Sequence, residues 1–272
     1  MESASTWRLL MHGEAPGAEN MALDEAILIA LLEGRVPPTL RFYGWAPPCL
    51  SLGRGQPATD ANLPACRAAG VDVVRRPTGG RAILHTDELT YSVVMLQSDP
   101  RAAGGVLESY RRLSEGLLAG LRVLGVEASQ VAGQRRQPGE PVPVCFETPS
   151  AYEITHGGRK LVGSAQWRSR GGVLQHGSLP LHGDLGRIGS YLALSEEQRA
   201  AERCTLEACA VTLEQAAGHI VPFDSVAAAL ATGLAAALDI TLVGDSLTGY
   251  ERALAGDLCR NRYANPDWTI HS

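Results

Sequence analysis

Residues 18–33, AENMALDEAILIALLE, place apolar side chains at helical spacing and stop at Gly34, which predicts a helix. TLRFYGW and CLSLGRGQ then read as strands on either side of a Pro-Pro turn. Residues 60–69 read as a short helix closed by Gly70. VDVVRR alternates as a strand, PTGG turns the chain, and RAILH and LTYSVVML follow as two more strands. Residues 106–124 form a long helical pattern ending at Gly125, whereas 133–143, GQRRQPGEPVP, have no period and read as a loop. A meander comes next: SAYEIT, KLVGSAQW and VLQHGSLPL, joined by HGGR and SRGG turns. The remainder is mostly helical, with one strand at DITLV. There is no internal repeat. Runs of strands with helices at both ends, rather than regular βαβ alternation, predict an α+β or irregular α/β fold around a mixed, largely antiparallel sheet.

The 272-residue length suits one domain over 1–272, with a core at about 18–245 and a helical C-terminal end at 246–272. A net charge of −5 predicts no bulk attraction to nucleic acid or membrane. MESASTWRLL lacks the pattern of a signal peptide, and the longest apolar stretch, near 226–238, is interrupted by Thr and Gly. A cytoplasmic location is expected. The six cysteines, at 49, 66, 145, 204, 209 and 259, are scattered with no CxxC, so neither disulfides nor a zinc site is expected. No cofactor is expected, and the chain is read as a monomer.

Four features could carry chemistry. In RRPTGGRAILH (75–85), adjacent Gly79 and Gly80 would let backbone approach a ligand and turn N–H groups toward an anion. Arg75 and Arg76 would point to opposite faces, so only Arg76 or its neighbour could serve such a site. The alternative is a plain hairpin. The stretch is neither a P-loop nor a dinucleotide fingerprint. Cys145 follows the Pro-rich loop and is either a nucleophile or a buried structural thiol. Lys160 is the sole lysine among 24 basic residues, which suggests a need for a compact ammonium that Arg cannot meet. The other reading is a surface cation at a hairpin turn. Strand period places Lys160 on one face with Val162, Ser164 and Gln166. His85 and His176 are either site residues or satisfied structural histidines.

Taken together, NMALDEAIL, LRFYGWAPPCLSLGRGQ, RRPTGGRAILH, CFETPSAYEI, GRKLVGSAQ and LQHGSLPL resemble the lipoate–protein ligase and octanoyltransferase superfamily, and RNRYANPDW is similar too. The pattern is most similar to cysteine-dependent octanoyltransferases of the LipM type, in which an acyl-accepting Cys lies in C-F-x-x-P-S and a Lys in G-R-K-x-x-G-S-A-Q. Cys145 and Lys160 stand at those positions. The resemblance implies a class II synthetase, biotin-ligase-like catalytic domain. It also implies octanoyl transfer from acyl carrier protein to a lipoyl-domain lysine, such as that of glycine-cleavage H protein. Two departures stand out. His85-Thr86-Asp87 replaces His-Asp, and Arg81 and Glu88-Leu89-Thr90 stand where ATP-dependent ligases have a third Gly and a Gly-Asn.

On this reading Lys160 holds Cys145 as thiolate, and the thiolate takes the acyl group before the acceptor lysine does. Arg76, Thr78, Gly79, Gly80, Ser164, Ala165, Gln166 and Gly177 would bind substrate, with His85 and His176 lining the site. Arg135, Arg136, Arg159, Arg168 and Arg170 would form a basic rim for acidic carriers. An ATP-dependent lipoate or octanoate ligase, an amidotransferase between lipoyl domains and a non-catalytic scaffold remain open alternatives. The acceptor's identity and the acyl donor preference are not set by sequence.

Overall fold

The computed structural model describes residues 5–130 and 153–271. In chain order, β1 (Ser5–Ala15) leads into α1 (Gly17–Leu32), then β2 (Thr39–Trp45) and β3 (Cys49–Leu52). A short α2 (Leu63–Ala68) precedes β4 (Asp72–Arg75), β5 (Ile83–His85) and β6 (Glu88–Leu96). The long α3 (Val106–Val123) is followed by β7 (Ser129–Gln130). The meander is β8 (Ile154–His156), β9 (Arg159–Ser169) and β10 (Gly172–Pro180). Helices α4 (Glu196–Cys209), α5 (Leu213–Ala217) and α6 (Phe223–Leu238) precede β11 (Ile240–Gly244), and α7 (Gly249–Leu258) and α8 (Pro266–His271) close the chain.

Among the described residues, eight strands form one sheet in the order β11-β1-β2-β6-β10-β9-β8-β7. Its β1 pairings are parallel, and the rest, from β2 through β7, are antiparallel. A separate small sheet, β4-β3-β5, carries the chain into and out of the glycine turn. The large sheet is covered on both faces. Leu113, Leu117 and Leu121 on α3, with Leu230 and Leu234 on α6, pack on Phe42, Tyr91 and Val93. On the other face Ile27, Leu28 and Leu31 of α1 pack on Leu10, Val94 and Leu174. The same helix turns Met21 and Ala22 toward Cys49 and Val74 of the small sheet. Helix α1 thus sits against both sheets, which sets the position of the site.

Strand β1 was not expected from the sequence. It lies between β11 and β2, so the large sheet begins at Ser5, ahead of the start anticipated near residue 18. Its register with β2 shifts between Met11 and Glu14, which breaks the alternation that would have marked it. Buried Arg8 pairs with buried Glu251 and ties α7 to this strand. Among the described residues no helix is long and apolar enough to cross a membrane.

Candidate active site

Residues 76–82 link β4 to β5 and carry the glycine turn. The two arginines before it have separate tasks. Arg75 is buried and donates to the carbonyls of Gly53, Gln56 and Thr269 at 2.8, 2.6 and 2.7 Å, so it staples the C-terminal segment to the loop after β3. Arg76 donates to Ser51 O and Oγ at 2.8 and 2.6 Å, and to the turn carbonyls of Gly79 and Arg81 at 3.2 and 2.9 Å. Its guanidinium therefore shapes the turn from beneath. Gly80 takes φ +98°, a conformation open to glycine. The loop after β3 lies directly on this turn. Arg54 N donates to Thr78 O at 2.9 Å, and a Cβ on Gly53 would stand 2.0 Å from Gly80 O. Gly53→Ala is therefore expected to displace the turn backbone and cost about 1–3 kcal/mol, read as a lower midpoint in thermal unfolding.

His176 reaches the same turn from β10. Its Nε2 lies 2.7 Å from Thr78 Oγ1 and its Nδ1 lies 3.3 Å from Asp24 Oδ2. Asp24, fully buried on α1, also accepts from Arg41 (2.8 Å), Ser92 (2.9 Å) and Tyr43 (3.0 Å). Burial pushes the Asp24 carboxyl up, but Arg41 and the His176 hydrogen bond outweigh burial and hold it below its usual range. Burial drives His176 down, so the ring is neutral: Nδ1–H donates to Asp24, and Nε2 accepts from the Thr78 hydroxyl. His85 is equally engaged. Its ring stacks on Trp45 with centroids 3.9 Å apart, Nε2 meets Ser51 Oγ at 2.6 Å, and Nδ1 meets Glu88 Oε1 at 2.7 Å.

These groups set an acid limit on stability. His12, a half-buried acceptor for Arg41 Nε at 2.8 Å, is pushed down to about 4 by burial and then by Arg41. Unfolded histidines titrate near 6.5, so between about pH 6.5 and 4 the unfolded chain binds the extra protons. The stability that neutral His12 and His176 contribute is whole above pH 6.5 and is lost as the pH falls. The unfolding midpoint is expected to be lower at pH 5 than at pH 7.5, with a smaller difference in a His12→Gln/His176→Gln double variant. A midpoint unchanged between the two pH values would contradict this.

The residues expected to bind substrate do not all share one surface. Across the ladder His176 pairs with Ser92 and Ala165, on the face that α1 covers. Ser164 pairs with Gly177 and Tyr91 on the opposite face, where its Oγ lies 2.7 Å from Tyr91 Oη and its carbonyl accepts from Tyr110 on α3 at 3.1 Å. Gln166 joins that side through Ser109 and Gln175. Gly177 leaves room for the contact, because a Cβ there would stand 2.5 Å from both Ser164 Oγ and Tyr91. The structure thus gathers Arg76, Thr78, Gly79, Gly80, His85, Ala165 and His176 on the α1 side. Ser164 and Gln166 instead fasten β9 to α3. Strand alternation alone separates Ser164 from Ala165.

Lys160 is not a surface cation. It is fully buried at the start of β9, and its Nζ donates to Glu153 Oε1 at 2.5 Å, with Glu153 itself 3% exposed. Its carbonyl accepts from Val211 N at 3.0 Å, fixing the strand to the segment after α4. Cys145, Arg135 and Arg136 lie outside the described residues. The other three arginines expected in a basic rim are dispersed. Arg168 donates to Gln166, Ser109 and the carbonyls of Ala102 and Gly105. Arg159 and Arg170 stand at opposite ends of β9. Asp24 and Glu153 were both missed in the sequence. An acid at helical spacing from Met21 and Ile27 inside an apolar run was the available sign for Asp24. For Glu153 it was an acid just across a tight hairpin from the sole lysine.

Residues 16–235 match the family model of the lipoyl protein ligase A/B catalytic domain. The chain belongs to that family. It is 46% identical over 269 residues to octanoyltransferase LipM of Kyrpidia tusciae, covering 97% of this chain and 98% of the relative. Octanoyltransferase LipM of Symbiobacterium thermophilum is 45% identical over 274 residues, with 98% of each chain covered. Among solved structures, lipoate-protein ligase A bound with ATP superposes with a TM-score of 0.78 at 27% identity, covering 97% of this chain and 98% of the other. A lipoate protein ligase of T. acidophilum with bound lipoic acid gives 0.77 at 26%, covering 97% and 99%. The mixed sheet with helices on both faces is therefore the fold of these ligases.

Proposed function

We propose that this protein is an octanoyltransferase that moves an octanoyl group from acyl carrier protein to a lipoyl-domain lysine through a thioester on Cys145. The observation that carries the reading is the likeness to LipM octanoyltransferases over nearly the full length of both chains. Cys145 and Lys160 supply chemistry that suits it. The Cys145 thiolate attacks the donor thioester carbonyl, and the pantetheine thiol leaves with a proton. The acceptor amine then attacks the Cys145 thioester, an amide forms, and the thiolate is restored. Thioester exchange is near balance and amide formation is downhill, so no nucleotide is consumed. Glycine-cleavage H protein is the proposed acceptor, in the cytoplasm, and the enzyme acts as a single catalytic domain and a monomer.

Lys160 supplies a compact N–H donor from a position closed to water, where a directed donor acts strongly on a developing oxyanion or a thiolate. Glu153 keeps that ammonium buried at tolerable cost and takes one of its three donors. The glycine turn is fixed by Arg76 and His176, and in this reading its backbone N–H groups face the reacting carbonyl.

The likeness to an ATP-bound ligase supports a second reading, acyl activation by adenylation. The two are separated by incubating the protein with octanoyl carrier protein and a lipoyl-domain acceptor without ATP. The proposal expects an octanoylated acceptor, whereas an adenylating ligase needs ATP and would leave it unmodified.

A further inference from the structure

At the end of β9 away from Lys160, a cleft of about 230 Å³ opens between α1, the β9–β10 turn, the loop after β3 and the C-terminal segment. Leu28, Leu32 and Trp167 line its apolar part, and Arg54, Arg170 and Arg262 bring guanidinium groups. Arg262 is committed: it donates to both oxygens of Glu25 at 2.6 and 2.7 Å and lies 3.9 Å over the Trp268 ring. That pair balances the carboxylate in the lining. Arg54 and Arg170 are exposed and have no ion pair among the described residues, so they give the cleft its net positive charge.

One wall of the cleft, the loop that carries Arg54, packs against the glycine turn. Arg54 donates its backbone N–H to Thr78, the residue that His176 holds. Trp167 is two residues beyond Ala165 on the same face of β9, about 7 Å along the strand, and Ala165 is the ladder partner of His176. A ligand entering here would lay a neutral stem on Trp167 and α1 and present an anion to the arginines of the cleft. Guanidinium pairs match the geometry of phosphate oxygens.

We propose that Arg54 and Arg170 bind the phosphate of the acyl donor's pantetheine arm, with the arm running over Trp167 to the glycine turn. This rests on the acyl-transfer reading above. A carrier protein's phosphodiester and the phosphates of coenzyme A present the same chemistry, and the donors used in the test tell them apart.

The test compares wild type with R54Q/R170Q on three donors: octanoyl carrier protein, octanoyl-coenzyme A and octanoyl-pantetheine, which lacks phosphate. The double variant is expected to raise KM for both phosphate-bearing donors by about tenfold or more. The kcat/KM for octanoyl-pantetheine should be the same in both proteins. Equal losses on all three donors, or no loss on any, would overturn the assignment. A loss confined to the carrier protein would overturn it too, since it would place the protein surface, and not the phosphate, in the cleft. If wild type transfers from no donor, the acyl-transfer reading fails by itself. Calorimetric titration with free coenzyme A then decides the cleft: binding to wild type that R54Q/R170Q abolishes upholds a phosphate site, and absence of binding to wild type removes it.

Discussion

Cys145→Ala is expected to abolish octanoyl transfer, by at least about 10³-fold, while the thermal unfolding midpoint stays near that of wild type. The argument is chemical. A free thiol of pKa near 8.5 is ionised to a few per cent at neutral pH, and a nearby cation increases that fraction. Alanine offers no nucleophile, so the acyl group has nowhere to rest between donor and acceptor. Cys145→Ser should be almost as inactive, because a hydroxyl has no comparable anion near pH 7. The other cysteines serve as controls. Cys49 and Cys66 are buried, and burial pushes both thiols up, away from the reactive form. Cys204 is exposed, and Cys209 and Cys259 are partly so. Replacing any of the five should alter stability at most. Full transfer by either Cys145 variant would favour the adenylating reading.

Lys160→Arg is expected to lower transfer by on the order of 10²-fold, the scale of losing one positioned electrostatic group. The substitution keeps the charge, so a cation acting only by charge would tolerate it. The site does not offer that tolerance. Lys160 is fully buried, its nitrogen sits 2.5 Å from Glu153, and the strand that carries it is held by Val211. A guanidinium is broader, planar and spreads its charge over a fork, so it must move Glu153 or the strand to enter. Lys160→Ala removes the ammonium partner of a buried carboxylate and is expected to cost stability of about 3–5 kcal/mol as well as activity. Lys160→Ala combined with Glu153→Gln separates the two effects: stability should recover while transfer stays lost. Wild-type transfer by Lys160→Arg would show that the lone lysine is a matter of composition.

The ion pair also refines how Lys160 can act. With Glu153 against it, the pair carries little net charge, and its field on a thiol is weaker than that of an isolated ammonium. On the proposed mechanism its influence comes from a local, directed N–H donor more than from long-range charge. This is a role in which position matters, and it adds to the expectation that Arg fails.

Most elements of the fold were legible because their periods are clean. Helix α1 spans Gly17–Leu32 against an expected 18–33, and the long helix spans Val106–Val123 against 106–124. Strands β2, β6, β9 and β10 also stand where apolar runs and turn residues placed them. Strand β1 escaped because a register shift breaks its alternation, and because its pairing with β2 and β11 is long-range and parallel, which no local pattern encodes. The site was legible as a set of motifs but not as a surface. The sequence brought Ser164 and Ala165 to one site, yet adjacent strand residues face opposite ways, and only Ala165 looks toward His176. The partners of the histidines were hidden for a different reason. Asp24 meets His176 across 152 positions and Thr78 meets it across 98, distances over which sequence spacing says nothing.

The central claim is an acyl group carried by Cys145, and intact-mass measurement tests it most directly. Wild-type protein is incubated with octanoyl carrier protein in the absence of ATP and of acceptor, then analysed whole and after proteolysis. The account predicts a single octanoyl adduct on the peptide bearing Cys145, which is discharged when a lipoyl-domain acceptor is added and does not form in Cys145→Ala. Unmodified protein, or an adduct on a different residue that survives the acceptor, would contradict it.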